Sequence, residues 1–190
     1  MKTRYAHARL ITAGACVAIL GGCASWTPPV PLDEKPSAQD AYLYGRFTMA
    51  SAKALLGLDG YGSIGFLFKC EDGSSYTVRF RLENDVQLLR VKPSMCSLEQ
   101  TIFTNVDGQI RGRRPSAAGG MKGLKLQAGT TYYLGDFHGS LQVTGGTTIH
   151  QEWRVDSASD QYGSTTAALK ARYPTFSAFP TQDVMNAGAR

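Results

Sequence analysis

Two histidines and two nearby carboxylates are the residues of this sequence whose types suggest catalytic or metal chemistry. Asp136 lies two positions before His138, and Glu152 lies two positions after His150. Histidine and carboxylate side chains together bind divalent metals or act as general bases. A two-residue turn at Gly145–Gly146 would place the histidines on opposite faces of a hairpin. The sequence therefore favours separate surface or strand-end histidines over a convergent site, and it predicts no metal or other cofactor.

A second candidate site is the stretch GYGSIG, residues 60–65, which matches the GxGxxG pattern. A dinucleotide-binding fingerprint follows a strand and opens a helix. This stretch instead leads into the strand-like SIGFLFK, residues 63–69, so we interpret it as a glycine-rich turn. The sequence also lacks GxxxxGK[ST], GxSxG and HExxH motifs. We therefore expect a protein that is not an enzyme.

The first 22 residues have the layout of a secretory signal. Lys2, Arg4 and Arg9 make the start basic, and the apolar stretch Leu10–Leu20 follows. A membrane span needs about 18 to 20 apolar residues, so this stretch is too short to cross a bilayer. We expect residues 1–22 to be a signal peptide that is cleaved.

The end of that segment, Leu20–Cys23 or LGGC, resembles the lipobox of bacterial lipoproteins. The resemblance implies that Cys23 is acylated, becomes the first mature residue and anchors the protein, because several acyl chains together hold without release. Cys16 is the weaker candidate, since cleavage there would leave only Leu10–Ala15 as the apolar run. Ala24, where lipoproteins kept in the inner membrane often carry Asp, implies the periplasmic face of the outer membrane.

Charge argues against a nucleic-acid partner. The full chain carries 20 Lys and Arg and 15 Asp and Glu residues, a net charge of +5. Residues 1–22 contain three of these cations and no acidic residue, so their removal lowers the net charge to +2. Most of the apparent basicity belongs to the signal segment, and the remaining 168 residues suit a single domain.

Residues 23–38 are predicted to be the lipidated cysteine followed by a Pro-rich tether. Four prolines between residues 24 and 38 favour extended conformations that do not build a core. At about 3 Å per residue, such a tether would hold the domain some 45 Å from the membrane. The alternative is a short ordered strand that Trp26 pins to the domain.

From residue 39 to residue 158 the apolar residues recur with a period of two, which is typical of half-buried antiparallel strands. The clearest case is SYTVRFR, residues 75–81, where Tyr76, Val78 and Phe80 share one face. Less regular strands are predicted at 41–49, 63–69, 86–92, 100–105, 130–138 and 147–155. Turn residues separate these segments, so we predict a mainly β fold, an antiparallel β-sandwich or barrel-like domain. The stretches YLYGRF (42–47) and YYLGDF (132–137) resemble strands of small proteobacterial lipoproteins, a resemblance that implies no activity.

The last segment, residues 159–190, changes character. Ser164 or Thr165 is a candidate N-cap, helix formers continue to Arg172, and Pro174 ends the pattern. We predict one short C-terminal helix there. Its apolar residues are expected to cover an open end of the sheet: Leu169, Tyr173, Phe176 and Phe179. The stretch SAKALLG, residues 51–57, fits either a helical turn or a loop.

Cys70 and Cys96 are the cysteines of the predicted domain. An exported protein meets an oxidising compartment, so this pair predicts a disulfide, and the absence of CxxC and of a nearby His argues against zinc. If strands 63–69, 75–81 and 86–92 form a meander, the first and third lie about 9.6 Å apart, beyond the roughly 7 Å limit for bridged Cα atoms. We therefore expect the loop 93–95 to fold across the end of the middle strand.

Five basic residues concentrate on one glycine-rich connection that we interpret as a solvated loop: Arg111, Arg113, Arg114, Lys122 and Lys125. Such a cluster can also contact an anionic partner, either a lipid headgroup or an envelope protein. The sequence thus predicts a non-catalytic binding or structural module of the cell envelope. The alternative is an envelope enzyme or an inhibitor of a periplasmic enzyme, which would need a cleft where His138, Asp136 and Glu152 converge, or a protruding rigid loop.

Overall fold

The computed structural model describes residues 26–49, 61–81, 85–105, 110–115, 121–144 and 150–184. In this part of the chain the strands are β1 (Ala41–Met49), β2 (Tyr61–Cys70), β3 (Ser75–Arg81), β4 (Gln87–Val91), β5 (Ser94–Asn105), β6 (Ile110–Pro115), β7 (Leu124–Leu126), β8 (Thr130–Thr144), β9 (His150–Ser159) and β10 (Thr181–Asp183). Between β9 and β10 lie the helix α1 (Tyr162–Arg172) and a 3₁₀ turn (Pro174–Phe176). The predicted mainly β, sandwich-like fold with one short helix is confirmed.

The first sheet, sheet I, has the order β10-β8-β1-β4, and β9 also pairs with β8. The long strand β8 uses one edge twice: its first residues pair with β10 and its later residues with β9. Its other edge pairs with β1. The pairings of β8 with β1 and with β10 are parallel, which departs from the predicted antiparallel sheet.

The second sheet, sheet II, has the order β3-β2-β5-β6, and β7 also pairs with β5. All of its pairings are antiparallel. The strand β5 divides one edge between β7, opposite Ser94–Cys96, and β6, opposite Gln100–Thr104. β3 and β6 therefore lie on opposite sides of the central pair β2 and β5.

The core lies between the two sheets and is built by the alternation seen in the sequence. Val78 and Phe80 of β3 are fully buried, whereas Arg81 is exposed. Phe66 of β2 and Phe137 of β8 meet across the core with ring centroids 4.6 Å apart. Because each large aromatic ring removes much apolar area from water, these contacts hold the sheets face to face.

The helix α1 covers the outer face of sheet I rather than an open end of a sheet, which corrects the expectation from the sequence. Leu169, Tyr173 and Phe176 pack against Tyr42 and Tyr133 of the sheet. The ring of Phe176 contacts that of Tyr42 edge-on, with centroids 4.9 Å apart. Successive side chains of a strand point to opposite faces, and around Tyr42 and Tyr133 the outer face of sheet I is covered by these C-terminal residues.

The disulfide between Cys70 and Cys96 is present, but the predicted meander is wrong. β4 leaves β3 to pair with β1 in sheet I, and β5 takes the place beside β2. The two cysteines are directly opposite each other on β2 and β5, with Cα atoms 4.0 Å apart. The loop therefore does not need to fold across a middle strand, because no strand separates the bridged positions.

The Pro-rich segment packs on the domain from Trp26 onward, which corrects the tether and supports the ordered alternative. The Thr27 amide donates to the Thr77 carbonyl at 3.0 Å, and the Val30 amide donates to the Leu88 carbonyl at 2.8 Å. Val30 is buried, and Glu34 forms an ion pair with Arg90 of β4. An extended proline-rich chain has the shape of a strand, and apolar residues within it can dock on a sheet.

The basic connection is also corrected, because residues 110–115 form the strand β6 at the edge of sheet II instead of a loop. Residues 116–120 lie outside the described residues, as do 51–57 and the signal segment with Cys23. The predicted helix is confirmed and begins two residues earlier than Ser164, at Tyr162.

Candidate functional site

His138 lies where β1, β8 and β9 meet, on the outer face of sheet I. Its Nδ1 atom is 2.5 Å from the hydroxyl of Thr48 on β1. Its Nε2 atom is 3.3 Å from the hydroxyl of Ser159 at the end of β9. The neighbouring strands therefore hold the imidazole at both nitrogens, while its ring remains exposed.

The Thr48 hydroxyl also donates to the Phe137 carbonyl at 3.4 Å, so it lies between the strand backbone and the imidazole. On the other side of the ring, the Ser159 hydroxyl lies beside Nε2. A serine hydroxyl beside an imidazole nitrogen is the arrangement from which an activated nucleophile can be built.

Asp136, two positions before His138, faces a different set of partners. The hydroxyl of Thr165 on α1 donates to both of its carboxylate oxygens, at 3.0 and 2.9 Å. The buried Tyr133 hydroxyl lies 3.1 Å from Oδ1 and also donates toward the Ser159 carbonyl. Asp136 thus joins the helix to the sheet, and these hydrogen bonds involve Tyr133 and Thr165 rather than His138.

The strand register separates the two histidines, which the sequence analysis considered as a convergent site only as the less favoured alternative. The register places His138 opposite Ser157, whereas His150 lies opposite Thr144, six positions further along β8 and roughly 20 Å away in a strand. Glu152 lies opposite Gln142, equally far from Asp136. Five residues, not two, connect β8 to β9, so the predicted hairpin register is wrong. Among the described residues no group of three His, Cys, Asp or Glu could hold a metal ion.

Charge is divided unevenly between the two sheets. The strands of sheet II contain seven basic residues, Lys69, Arg79, Arg81, Arg111, Arg113, Arg114 and Lys125, and one acidic residue, Glu99. The strands of sheet I contain three basic and four acidic residues. The Glu99 carboxylate lies 3.7 Å from the Lys69 ammonium group, so its negative charge is paired with that one cation. Sheet II is therefore a strongly basic layer on a body whose net charge is small.

The strand register shows how this layer gathers cations that are distant in sequence. Arg79 of β3 lies opposite Gly65 of β2, Gly65 opposite Ile102 of β5, and Ile102 opposite Arg113 of β6. These four positions form one row across the sheet. Lys125 lies on β7 opposite Met95, and the exposed Lys122 precedes that strand. The five predicted contact residues therefore share one sheet edge, while Arg79 and Arg81 lie on the other edge.

Arg79 and Arg81 are the residues that the sequence analysis did not assign to a site. Burial lowers the pKa of Arg79, and the charge of Arg81 lowers it further. Arg79 Nε donates to the Ser63 hydroxyl at 2.7 Å, and its guanidinium lies 5.2 Å from the Trp26 ring centroid. The feature of the sequence that could have identified these two residues is the polar face of SYTVRFR, on which both arginines alternate with buried residues.

Comparisons with other proteins do not assign a function to this chain. No model of a known protein family matches the chain, and no curated protein matches it. Among solved structures, the chain is similar to a proposed cell adhesion protein from Bacteroides uniformis, with 12% identity and a TM-score of 0.29. The match covers 63% of this chain and about half, 51%, of that protein. At this TM-score the likeness carries no functional argument.

Proposed function

We propose that this protein is a lipoprotein of the bacterial outer membrane, held on the periplasmic face by acyl chains on Cys23. The LGGC motif and Ala24 support the anchor and its location. The Cys70–Cys96 disulfide is compatible with an oxidising compartment such as the periplasm. Within the described residues, no helix is long and apolar enough to span a membrane.

The β-sandwich itself acts, in this proposal, as a non-catalytic binding module for an anionic component of the envelope. The observation that supports this proposal is the excess of positive charge on the strands of sheet II, which contain seven basic residues and only one acidic residue. A surface of one sign attracts ligands of the opposite sign and raises their local concentration. Phosphate groups of lipids and acidic segments of envelope proteins both have the required chemistry.

The test is binding of the mature protein to anionic vesicles and to isolated envelope fragments at low and high salt. The variant replaces Arg111, Arg113 and Arg114 with Gln. Because each charge near an anionic surface contributes about 1 kcal/mol, the triple variant should bind roughly 3 kcal/mol more weakly at low salt. The difference should shrink at high salt, where screening acts over about 3 to 10 Å.

A matched control keeps the same change in net charge outside sheet II. Lys35, Lys92 and Lys170 lie in the Pro-rich segment, after β4 and on α1. Their replacement with Gln should leave most of the binding intact. Equal binding by wild type and the Arg variant, without salt dependence, would refute the proposed role of sheet II.

The alternative is an envelope hydrolase, and one observation favours it: Ser159 Oγ lies 3.3 Å from His138 Nε2. A serine nucleophile in such a pair would react with fluorophosphonate probes. The proposed non-catalytic module predicts no labelling. Labelling of wild type that is lost in both Ser159→Ala and His138→Ala would establish the hydrolase instead.

A further inference from the structure

Trp26 fixes the start of the described chain against the outer face of sheet II. It forms a parallel bridge with Thr77, and the next amide, that of Thr27, donates to the Thr77 carbonyl at 3.0 Å. Its ring lies directly over Gly65, where an added Cβ would approach Trp26 Cζ3 to 2.5 Å. Backbone and ring contacts together set where the chain enters the domain.

The proposed lipid anchor is only three residues before this point. An extended chain spans at most about 3.6 Å per residue, so the Cα atom of Cys23 lies within about 11 Å of that of Trp26. With acyl chains on Cys23, the outer face of sheet II begins next to the membrane surface. Because the chain packs on sheet II from Trp26 onward, the proposed anchor would hold this face beside the lipid instead of holding the domain at the end of a long tether.

The side chains around Trp26 suit an anionic interface. Arg79 lies over the ring, and Arg81 follows two positions later on the same face of β3 and is exposed. Among the described residues the ion pairs involve other cations, namely Lys69, Arg90 and Arg172. Tryptophan is enriched at the level of lipid headgroups, and cations near an anionic leaflet are attracted to it.

We infer that the outer face of sheet II around Trp26, Arg79 and Arg81 docks on anionic phospholipid headgroups of the leaflet that holds acylated Cys23. The inference rests on the proposed anchor and names the ligand of the proposed anion-binding sheet. The anchor makes the contact intramolecular in effect, because a short linker gives a high effective concentration of headgroups. Docking would hold sheet II on the membrane and turn α1 toward the periplasm.

The experiment uses the full lipidated protein in phosphatidylcholine vesicles with and without phosphatidylglycerol. The substitution Trp153→Phe leaves Trp26 as the single tryptophan, since the chain contains two. Quenching of Trp26 by headgroup nitroxide lipids and by aqueous acrylamide reports whether the face is docked. We expect stronger nitroxide quenching and weaker acrylamide quenching in the anionic vesicles.

Two charge reversals provide the matched comparison. Arg81→Glu lies on the proposed face, whereas Lys170→Glu lies on α1, which covers the other sheet. Each changes the net charge by two, and each charge contributes roughly fivefold at an anionic leaflet. Arg81→Glu should lower the docking equilibrium constant about thirtyfold, and Lys170→Glu should leave it unchanged.

The outcomes separate this inference from the proposed function. Equal Trp26 quenching in both vesicle types, or equal effects of the two reversals, would overturn membrane docking. If the protein still binds a soluble polyanion such as heparin in a salt-dependent way, the anion-binding function survives that result. If Cys23 carries no acyl chain, both the anchor and the docking are overturned.

Discussion

Replacing Gly65 with Ala should break the contact that holds Trp26 on sheet II. The added Cβ would lie 2.5 Å from Cζ3 and 2.9 Å from Cη2 of the Trp26 ring, and 3.3 Å from the Val78 carbonyl oxygen. Contacts under 3.0 Å do not persist between carbon atoms, so either the ring lifts or the sheet shifts. The perturbation therefore tests whether the N-terminal segment is part of the domain.

The magnitude follows from the two ways of relieving the clash. Lifting the ring exposes on the order of 100 Å² of apolar surface, a cost of about 2.5 kcal/mol at 25 cal/mol per Å². Shifting the sheet to accept the methyl group costs about 1 to 3 kcal/mol. Alanine in a strand is more favourable than glycine by about 0.5 to 1 kcal/mol. Gly65→Ala should therefore lower the free energy of unfolding by roughly 1 to 2 kcal/mol.

A double-mutant cycle with Trp26→Ala isolates the contact. In the Trp26→Ala background the clash is absent, so Gly65→Ala should be neutral or stabilising by about 0.5 kcal/mol. Urea unfolding of the four proteins measures the coupling, which we expect to be about 2 kcal/mol. An equal effect of Gly65→Ala in both backgrounds would show that Trp26 does not lie on this face.

Three further predictions concern the body of the protein. Cys70→Ala should lower the free energy of unfolding by about 2 to 5 kcal/mol, and alkylation of two thiols without reduction would contradict the disulfide. Asp136→Ala leaves the buried Thr165 hydroxyl without its acceptor and should cost about 2 to 3 kcal/mol in thermal or urea unfolding, with Asp136→Asn costing less. Burial raises the pKa of Tyr44 and Tyr133 above the ordinary value of 10.0, so the unfolded chain ionises first. The contribution of these two tyrosines to the free energy of unfolding should thus be constant below about pH 10 and fall above it. The total free energy of unfolding should therefore fall less steeply above about pH 10 in Tyr44→Phe/Tyr133→Phe, and equal alkaline pH profiles of the two proteins would contradict this.

Alternation in the sequence was enough to predict the strands with a clear apolar face. β1 and β3 have the bounds expected from the pattern. In β3 the large apolar side chains recur at every second position, whereas β1 is buried on both faces, since Ala41–Tyr44 are all buried. The pattern says which face of a strand is buried, not which strand lies beside it. The switch of β4 into sheet I and the direct pairing of Cys70 with Cys96 therefore required the structure.

Segments with few apolar residues were the ones misinterpreted. β6 reads IRGRRP, and its strand conformation depends on pairing with β5 rather than on its own pattern. The Pro-rich segment was predicted to be a tether, but two apolar residues, Trp26 and Val30, fix it to the domain. The local basic cluster was visible in sequence, whereas Arg79 joins its sheet only through the pairing of β3 with β2.

The most direct test of the central proposal is the mass of the N-terminal peptide of the protein purified from bacterial outer membranes. The account predicts a mature chain that begins at Cys23 and carries acyl groups there, and a Cys23→Ser precursor that stays unprocessed. A chain from the native protein that begins at another residue, or that carries an unmodified Cys23, would contradict the anchor and with it the membrane placement of sheet II.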